Sequence, residues 1–166
     1  MNRYKQWSGL LAAVLITAGC VAVTAADSRD RMLGDQAFND RDYPLAIKFY
    51  LRYMAEAGND NSAWADAARR AISAMLRDNR SAGALNLFAQ LRRRLGDRQL
   101  DIDDRLVEVE LFTACGKFKE ARTAVENLLH GIDQNGDNYR RALDLLGSIL
   151  LQTKDWSEAA NVYTLL

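Results

Sequence analysis

The sequence predicts an all-α protein built from repeated pairs of helices. Its 166 residues include one proline, which favours long helices over a loop-rich or all-β fold. Helix formers such as Ala, Leu, Arg and Glu dominate, and β-branched runs are scarce after residue 26. Charged residues make up 27% of the chain and the formal net charge is zero, which is typical of a folded protein rather than a disordered one.

The first 26 residues predict a secretory signal peptide. Arg3 and Lys5 precede an apolar run at residues 10–23, and small residues follow at 24–26. This pattern favours cleavage after Ala25 or Ala26, and residues 27–166 form the expected domain. We therefore expect the domain to be exported, with the periplasm or cell envelope of a bacterium as its location.

Two other interpretations of this segment remain open. The residues around Cys20 resemble a bacterial lipoprotein box, which makes Cys20 a candidate lipidation site. Residues 8–26 are also just long enough for a retained membrane anchor. Either alternative predicts membrane association through the N-terminus, and both still place the domain outside the cytoplasm.

A regular spacing of alanines indicates that the domain is a repeat. The alanines recur at intervals of 38, 37 and 38 residues, at Ala46, Ala84, Ala121 and Ala159. A large apolar side chain follows each of them by four residues, at Tyr50, Phe88, Val125 and Tyr163. Because residues four apart lie on one face of a helix, each set predicts a helix stripe.

Turn-prone segments divide the domain into pairs of helices. Short ones at residues 39–42, 77–80, 115–117 and 153–155 predict tight turns within a pair, whereas longer joints at 57–62 and 131–137 separate one pair from the next. We therefore expect four helical hairpins, at about residues 27–60, 65–98, 102–135 and 140–166. A small alanine between large side chains allows two antiparallel helices to approach closely.

These motifs resemble the tetratricopeptide repeat family, which has a Leu-Gly pair on its first helix and an alanine and an aromatic residue on its second. Gly34 precedes Ala46, and Gly147 precedes Ala159, by the family's spacing of twelve residues. Gly116 lies in a turn that resembles the family's turn. The likeness covers residues 27–166.

Two departures indicate a divergent member of that family. The period is longer than the family's 34 residues. The second repeat has Ile72 where the glycine is expected. A related solenoid of helical hairpins therefore remains an alternative.

The resemblance implies a right-handed α-solenoid whose first helices line a concave groove. The groove candidates are Arg31, Asp35, Arg69, Ser73, Leu106, Glu110, Asp144 and Ser148. It also implies that the repeats pack through Gly34, Ala46, Tyr50, Ala84, Phe88, Gly116, Ala121, Val125, Gly147, Ala159 and Tyr163. The family's best-known groove binds a C-terminal carboxylate through Lys and Asn, and no groove candidate is either residue, so that specificity is not expected here.

The sequence predicts neither catalysis nor a cofactor. After residue 26 it contains one cysteine, Cys115, and one histidine, His130, and a helix of about 20 Å is expected to separate them. No spacing of Cys, His or carboxylate residues predicts a metal site, and no glycine-rich loop predicts a phosphate site.

Charge is distributed unevenly along the domain. Residues 66–98 contain eight arginines and three aspartates, whereas residues 99–144 contain ten acidic and six basic residues. These clusters either steer a partner of complementary charge or are solvated helix ends, and the second interpretation is favoured for any single cluster. A nucleic-acid partner is not expected, because the exported domain is slightly acidic.

The leading functional hypothesis is an exported scaffold that binds a protein or peptide in its groove. The alternatives are the N-terminal region of a larger cell-envelope enzyme and a structural subunit of a membrane-associated assembly. The apolar stripe of the last helix includes Tyr163 and Leu166. It predicts that the sequence is a fragment, which is the favoured interpretation, or that a partner or a second copy covers this stripe.

Overall fold

The computed structural model describes residues 29–166, and the signal-peptide, lipidation and anchor hypotheses for residues 1–26 fall outside them. The predicted all-α fold is confirmed, because the described residues form helices and no strand. The helices are α1 (29–39), α2 (Tyr43–Glu56), α3 (Asn61–Arg77), α4 (Ser81–Leu95), α5 (Ile102–Ala114), α6 (Phe118–Leu129), α7 (Asp137–Thr153) and α8 (Trp156–Tyr163). A short 3-10 helix, Asp97–Gln99, precedes α5.

Helices that are adjacent in sequence pack against each other, and the turns inside the four pairs share one backbone geometry. A residue with positive φ lies five positions before each repeat alanine, at Arg41, Asn79, Gly116 and Lys154. The next residue donates its N–H back to the preceding helix over 2.8–2.9 Å, for example from Lys117 to Phe112 O. This is a Schellman-type helix end. Gly116 is therefore a turn residue rather than the packing residue that the sequence predicts, and a Cβ there would contact nothing within 4 Å.

Each hairpin is closed around its repeat alanine. The four alanines are at most 1% exposed. In the first hairpin the ring of Tyr50 lies against Gly34, where an added Cβ would be 2.6 Å from the ring. In the fourth hairpin Tyr163 lies against Gly147, also at 2.6 Å. At both positions glycine leaves space that an aromatic ring of the second helix occupies.

The second and third hairpins fill the same space differently. Ile72 and Val109 occupy the positions that correspond to the two glycines, and both are buried. Phe88 and Val125 occupy the positions of the two tyrosines and are also buried. Where the first helix carries Ile or Val in place of glycine, the second helix carries Phe or Val in place of tyrosine. Both combinations fill the space between the two helices.

The apolar interior forms two clusters. One consists mainly of residues from α1 to α4, and the other of residues from α5 to α8. The second hairpin begins at Asn61, before the predicted boundary at residue 65, because the side chain of Asp60 caps α3 by accepting from the N–H groups of Ser62 and Ala63. Within the described residues, no helix has the length and apolar character needed to span a membrane.

Candidate functional site

Ion pairs join the leading helices of successive hairpins, α1, α3, α5 and α7. We call the surface that carries these side chains the first-helix surface. Arg70 Nη1 on α3 lies 2.6 Å from Asp35 Oδ1 on α1. Arg141 Nη1 on α7 lies 2.7 Å from Asp103 Oδ1 on α5. These pairs therefore connect each hairpin to the one next to it.

The link between α3 and α5 is bidentate. Arg69 Nε and Nη2 donate to Asp104 Oδ1 and Oδ2 over 2.7 and 2.6 Å. Asp104 also belongs to a capping box with Asp101, which fixes the beginning of α5. The hydrogen bonds to Asp104 are the main cause of the raised pKa of Arg69. Because Asp104 is buried, this pair is the best-shielded contact of the surface.

Tyr50 connects a second helix to the same surface. Its hydroxyl donates to Asp35 Oδ1 over 2.7 Å, and the same carboxylate oxygen accepts from Arg70. Burial, followed by the hydrogen bond to Asp35, raises the pKa of Tyr50 well above its usual value. The network joins α1, α2 and α3 in one contact.

A pocket of about 380 Å³ opens between α3 and α5 on the first-helix surface. Ile72, Leu76, Phe88 and Val107 provide much of its apolar wall. Its polar lining residues include Arg69, Ser73, Arg77, Asp104 and Glu110. An apolar concavity with a few polar groups is typical of a ligand-binding site.

Glu110 is the unpaired carboxylate of this pocket. Within residues 29–166 it makes no direct ion pair or hydrogen bond. Burial raises its pKa, and the nearby Arg141 and Arg77 offset that effect only in part. A positive charge close to a half-buried carboxylate favours its ionised form.

A second, larger pocket of about 790 Å³ lies between the end of α4 and the α5–α6 hairpin. Its apolar wall includes Ile102, Phe112 and Leu128. Arg92 forms an ion pair with the buried Glu108 and a second one with Asp97. Burial raises the pKa of Glu108. Glu108, unlike Glu110, therefore already has a cation within hydrogen-bond distance.

The predicted groove residues fall into three groups. Arg69, Ser73 and Glu110 come together in the α3–α5 pocket. Arg31 and Asp35 lie in ion pairs between α1 and α3, with Arg31 Nε 3.4 Å from Asp66 Oδ2. The remaining polar candidates, Asp144 and Ser148, are on α7 and do not line this pocket.

Leu106 is not a groove residue. Its side chain is completely buried in the second apolar cluster. Leu106 occupies the repeat position that carries Arg31 in α1 and Arg69 in α3. It is buried because α5 packs against α7 as well as against α6. The prediction for Leu106 is therefore wrong.

The residues considered for chemistry remain apart. Cys115 is the residue that ends α5, and His130 is the residue that ends α6, so the whole of α6 lies between them in sequence. Between residues 29 and 166, no three His, Cys, Asp or Glu side chains are grouped as metal ligands.

Sequence reasoning missed the acidic partners of the groove arginines. Asp66, Asp103 and Asp104 were not among the candidates, although each pairs with an arginine on a neighbouring first helix. The separations of such pairs are 35 residues for Arg69–Asp104 and 38 for Arg141–Asp103. Opposite charges about one repeat apart were therefore a usable signal.

Comparison with known proteins does not assign the chain to a family. No protein-family model matches the sequence, and no curated protein matches it significantly.

Proposed function

We propose that this protein is an exported scaffold of tetratricopeptide-like repeats that binds a peptide or protein segment without catalysis. In this proposal the four hairpins stack as a right-handed solenoid, and the first-helix surface is its concave side. The recurrence of one turn geometry at Arg41, Asn79, Gly116 and Lys154 supports a true repeat. Ion pairs between successive first helices support regular stacking.

The observation that carries the proposal is Glu110 in the α3–α5 pocket. An apolar wall beside an unpaired, half-buried carboxylate fits a lysine or arginine side chain of the bound segment. The alkyl stem would lie against Ile72, Leu76 and Val107, and the cation would reach Glu110. Such a contact supplies apolar affinity and charge selectivity in one place.

Site-specific photocrosslinking tests this proposal. A photoreactive amino acid is placed at Ser73, which is exposed and lines the pocket, and at Gln90, which is exposed on α4, as the matched control. In the native cell envelope we expect one discrete adduct from Ser73 and none from Gln90. We also expect Glu110→Gln to remove the adduct while the protein remains folded by circular dichroism.

Two results would contradict the proposal. One is the same adduct pattern from Ser73 and Gln90, because the contact would then not be specific to the pocket. The other is an unchanged Ser73 adduct in the Glu110→Gln protein, because the carboxylate would then play no part in recognition.

A further inference from the structure

The α3–α5 pocket contains two charged side chains that pair with no other described residue. One is Glu110, on the α5 wall. The other is Arg77, on the α3 wall, which is exposed and makes no hydrogen bond or ion pair within residues 29–166. The other charged lining residues, Arg69 and Asp104, are bound to each other by two hydrogen bonds. Among the described lining residues, the pocket therefore has one free charge of each sign, one on each wall.

The same two helices carry one ion pair that is formed and one pair of opposite charges that is not. Arg69, Ser73 and Arg77 follow each other at intervals of four residues, so they lie along one face of α3. Arg69 contacts Asp104 of α5 directly. About two turns further along α3, Arg77 and Glu110 both line the pocket but form no ion pair with each other. The space between the walls is therefore bounded by an unpaired cation and an unpaired anion.

Arg77 is the cation that remains available near Glu110. Arg141 and Arg77 both act to lower the pKa of Glu110, against the larger effect of burial. Arg141, however, already donates to Asp103 Oδ1 over 2.7 Å and to Asn138 Oδ1 over 3.3 Å. It is also absent from the lining of the pocket. An occupant of the pocket therefore meets Arg77, and not Arg141, beside Glu110.

We propose that Arg77 is a second specificity-determining residue of this pocket and binds an acidic side chain of the bound segment. The basic side chain of the same segment reaches Glu110, as in the proposed function on which this inference rests. Side chains that share one face are two positions apart in an extended segment and three or four apart in a helix. The acidic residue therefore lies within four positions of the basic one. A segment with both charges is complementary to both walls of the pocket.

The two charges contribute differently because their exposure differs. Glu110 is half-buried, whereas Arg77 is exposed at the rim of the pocket. An ion pair at an exposed position changes an affinity by about two- to fivefold, and salt screens it. We therefore expect the loss of the Arg77 charge to weaken binding less than the loss of the Glu110 charge, and its effect to shrink at high ionic strength.

Photocrosslinking from Ser73 in the native cell envelope tests this inference. The probe is the photoreactive amino acid at Ser73, and the yield of its adduct is measured. Arg77→Gln should lower the yield, and Arg77→Glu should remove the adduct because two negative charges would then meet at the rim. Arg93→Gln is the matched control, because Arg93 is an exposed arginine of α4 that lines neither of the two pockets. It should leave the yield unchanged, and circular dichroism should show that all three variants are folded.

The crosslinked segment provides a second test on the purified protein. Mass spectrometry of the adduct identifies the segment, and we expect an acidic residue within four positions of a basic one. The segment is synthesised with this acidic residue intact or replaced by the corresponding amide. At low salt the replacement should weaken binding to the wild type about two- to fivefold. It should have no effect on binding to Arg77→Gln, because the partner of the acidic residue is then already absent.

Two results would overturn this inference alone, provided that Glu110→Gln still removes the adduct. An unchanged yield in both Arg77 variants would show that Arg77 is only a solvated helix end. A higher yield in Arg77→Gln would show that Arg77 competes with the segment for Glu110. In contrast, the absence of a Ser73 adduct, or an adduct with another part of this same chain, would overturn the proposed function together with the inference.

Discussion

The guanidinium of Arg69 holds the carboxylate of Asp104 through two hydrogen bonds, of 2.7 and 2.6 Å, although 35 residues separate them in the sequence. The contact joins the second hairpin to the third, near the junction between the two apolar clusters. Asp104 is buried and belongs to the capping box at the start of α5, so the pair connects Arg69 to the first turn of that helix.

Arg69→Met should destabilise the protein, because the carboxylate of Asp104 would remain buried without its cation. We expect a loss of about 1–3 kcal/mol in the free energy of unfolding, less than for a fully shielded pair because solvent reaches Arg69. Urea denaturation measures the change. Arg93→Met, at an exposed arginine of α4 without an ion pair in the described residues, is the control and should have no effect. Equal stabilities of the two variants would contradict this account of the contact.

The two glycine–tyrosine contacts should respond differently to an added methyl group. Gly34→Ala should cost about 1–3 kcal/mol, because the ring of Tyr50 is buried and has no space to move. Gly147→Ala should cost less, because Tyr163 is 39% exposed and its ring can turn away. Thermal denaturation of both variants compares the costs. A larger loss for Gly147→Ala would show that the two contacts are wrongly described.

The repeat alanine of the third hairpin tests the register of the repeat. Ala121→Trp should destabilise the protein by about 1–3 kcal/mol or more, since a large side chain has no room at a fully buried helix contact. Ala82→Trp, at an exposed position of α4, should leave the melting temperature nearly unchanged. Similar melting temperatures for the two variants would contradict the register.

Glu110 should lower stability at neutral pH. Burial raises the pKa of Glu110 in the folded state above the unfolded value of 4.5. The folded protein therefore keeps its full stability below pH 4.5, where the carboxyl is protonated in both states, and loses stability as the pH rises through the folded-state pKa. Glu110→Gln should therefore raise the urea midpoint at pH 7 relative to the wild type, with a smaller gain at pH 4. Glu120→Gln, at an exposed carboxylate, is the control. A lower midpoint for Glu110→Gln at pH 7 would indicate that Glu110 is a structural residue.

Much of the helical order could be predicted from local sequence signals. The turns were expected at residues 39–42, 77–80, 115–117 and 153–155, and helices end and begin at these places in the structure. Turn propensity and helix stripes are local properties, so one sequence is sufficient to read them. The 3-10 helix Asp97–Gln99 carried no comparable signal and was missed.

The candidate site was harder to predict because it depends on contacts between hairpins. The position of Leu106 follows the repeat register of Arg69, but the approach of α7 to α5 buries it. Arg69 was expected to be a groove residue, but its ion pair with a buried aspartate on the next first helix was not expected. A residue's place in a repeat predicts which face it lies on, but its exposure depends on the neighbouring hairpin.

The central claim is that Glu110 receives a basic side chain of a bound segment, and a double-mutant cycle tests it most directly. The segment that is crosslinked at Ser73 is synthesised with its basic residue intact or replaced by methionine. The dissociation constants of both peptides are then measured with the wild type and with Glu110→Gln. Direct contact predicts a coupling free energy of roughly 0.5–3 kcal/mol. Replacing the basic residue of the peptide should therefore weaken binding to the wild type but have little effect on binding to Glu110→Gln. Losses that add within about 0.3–0.5 kcal/mol would contradict the claim.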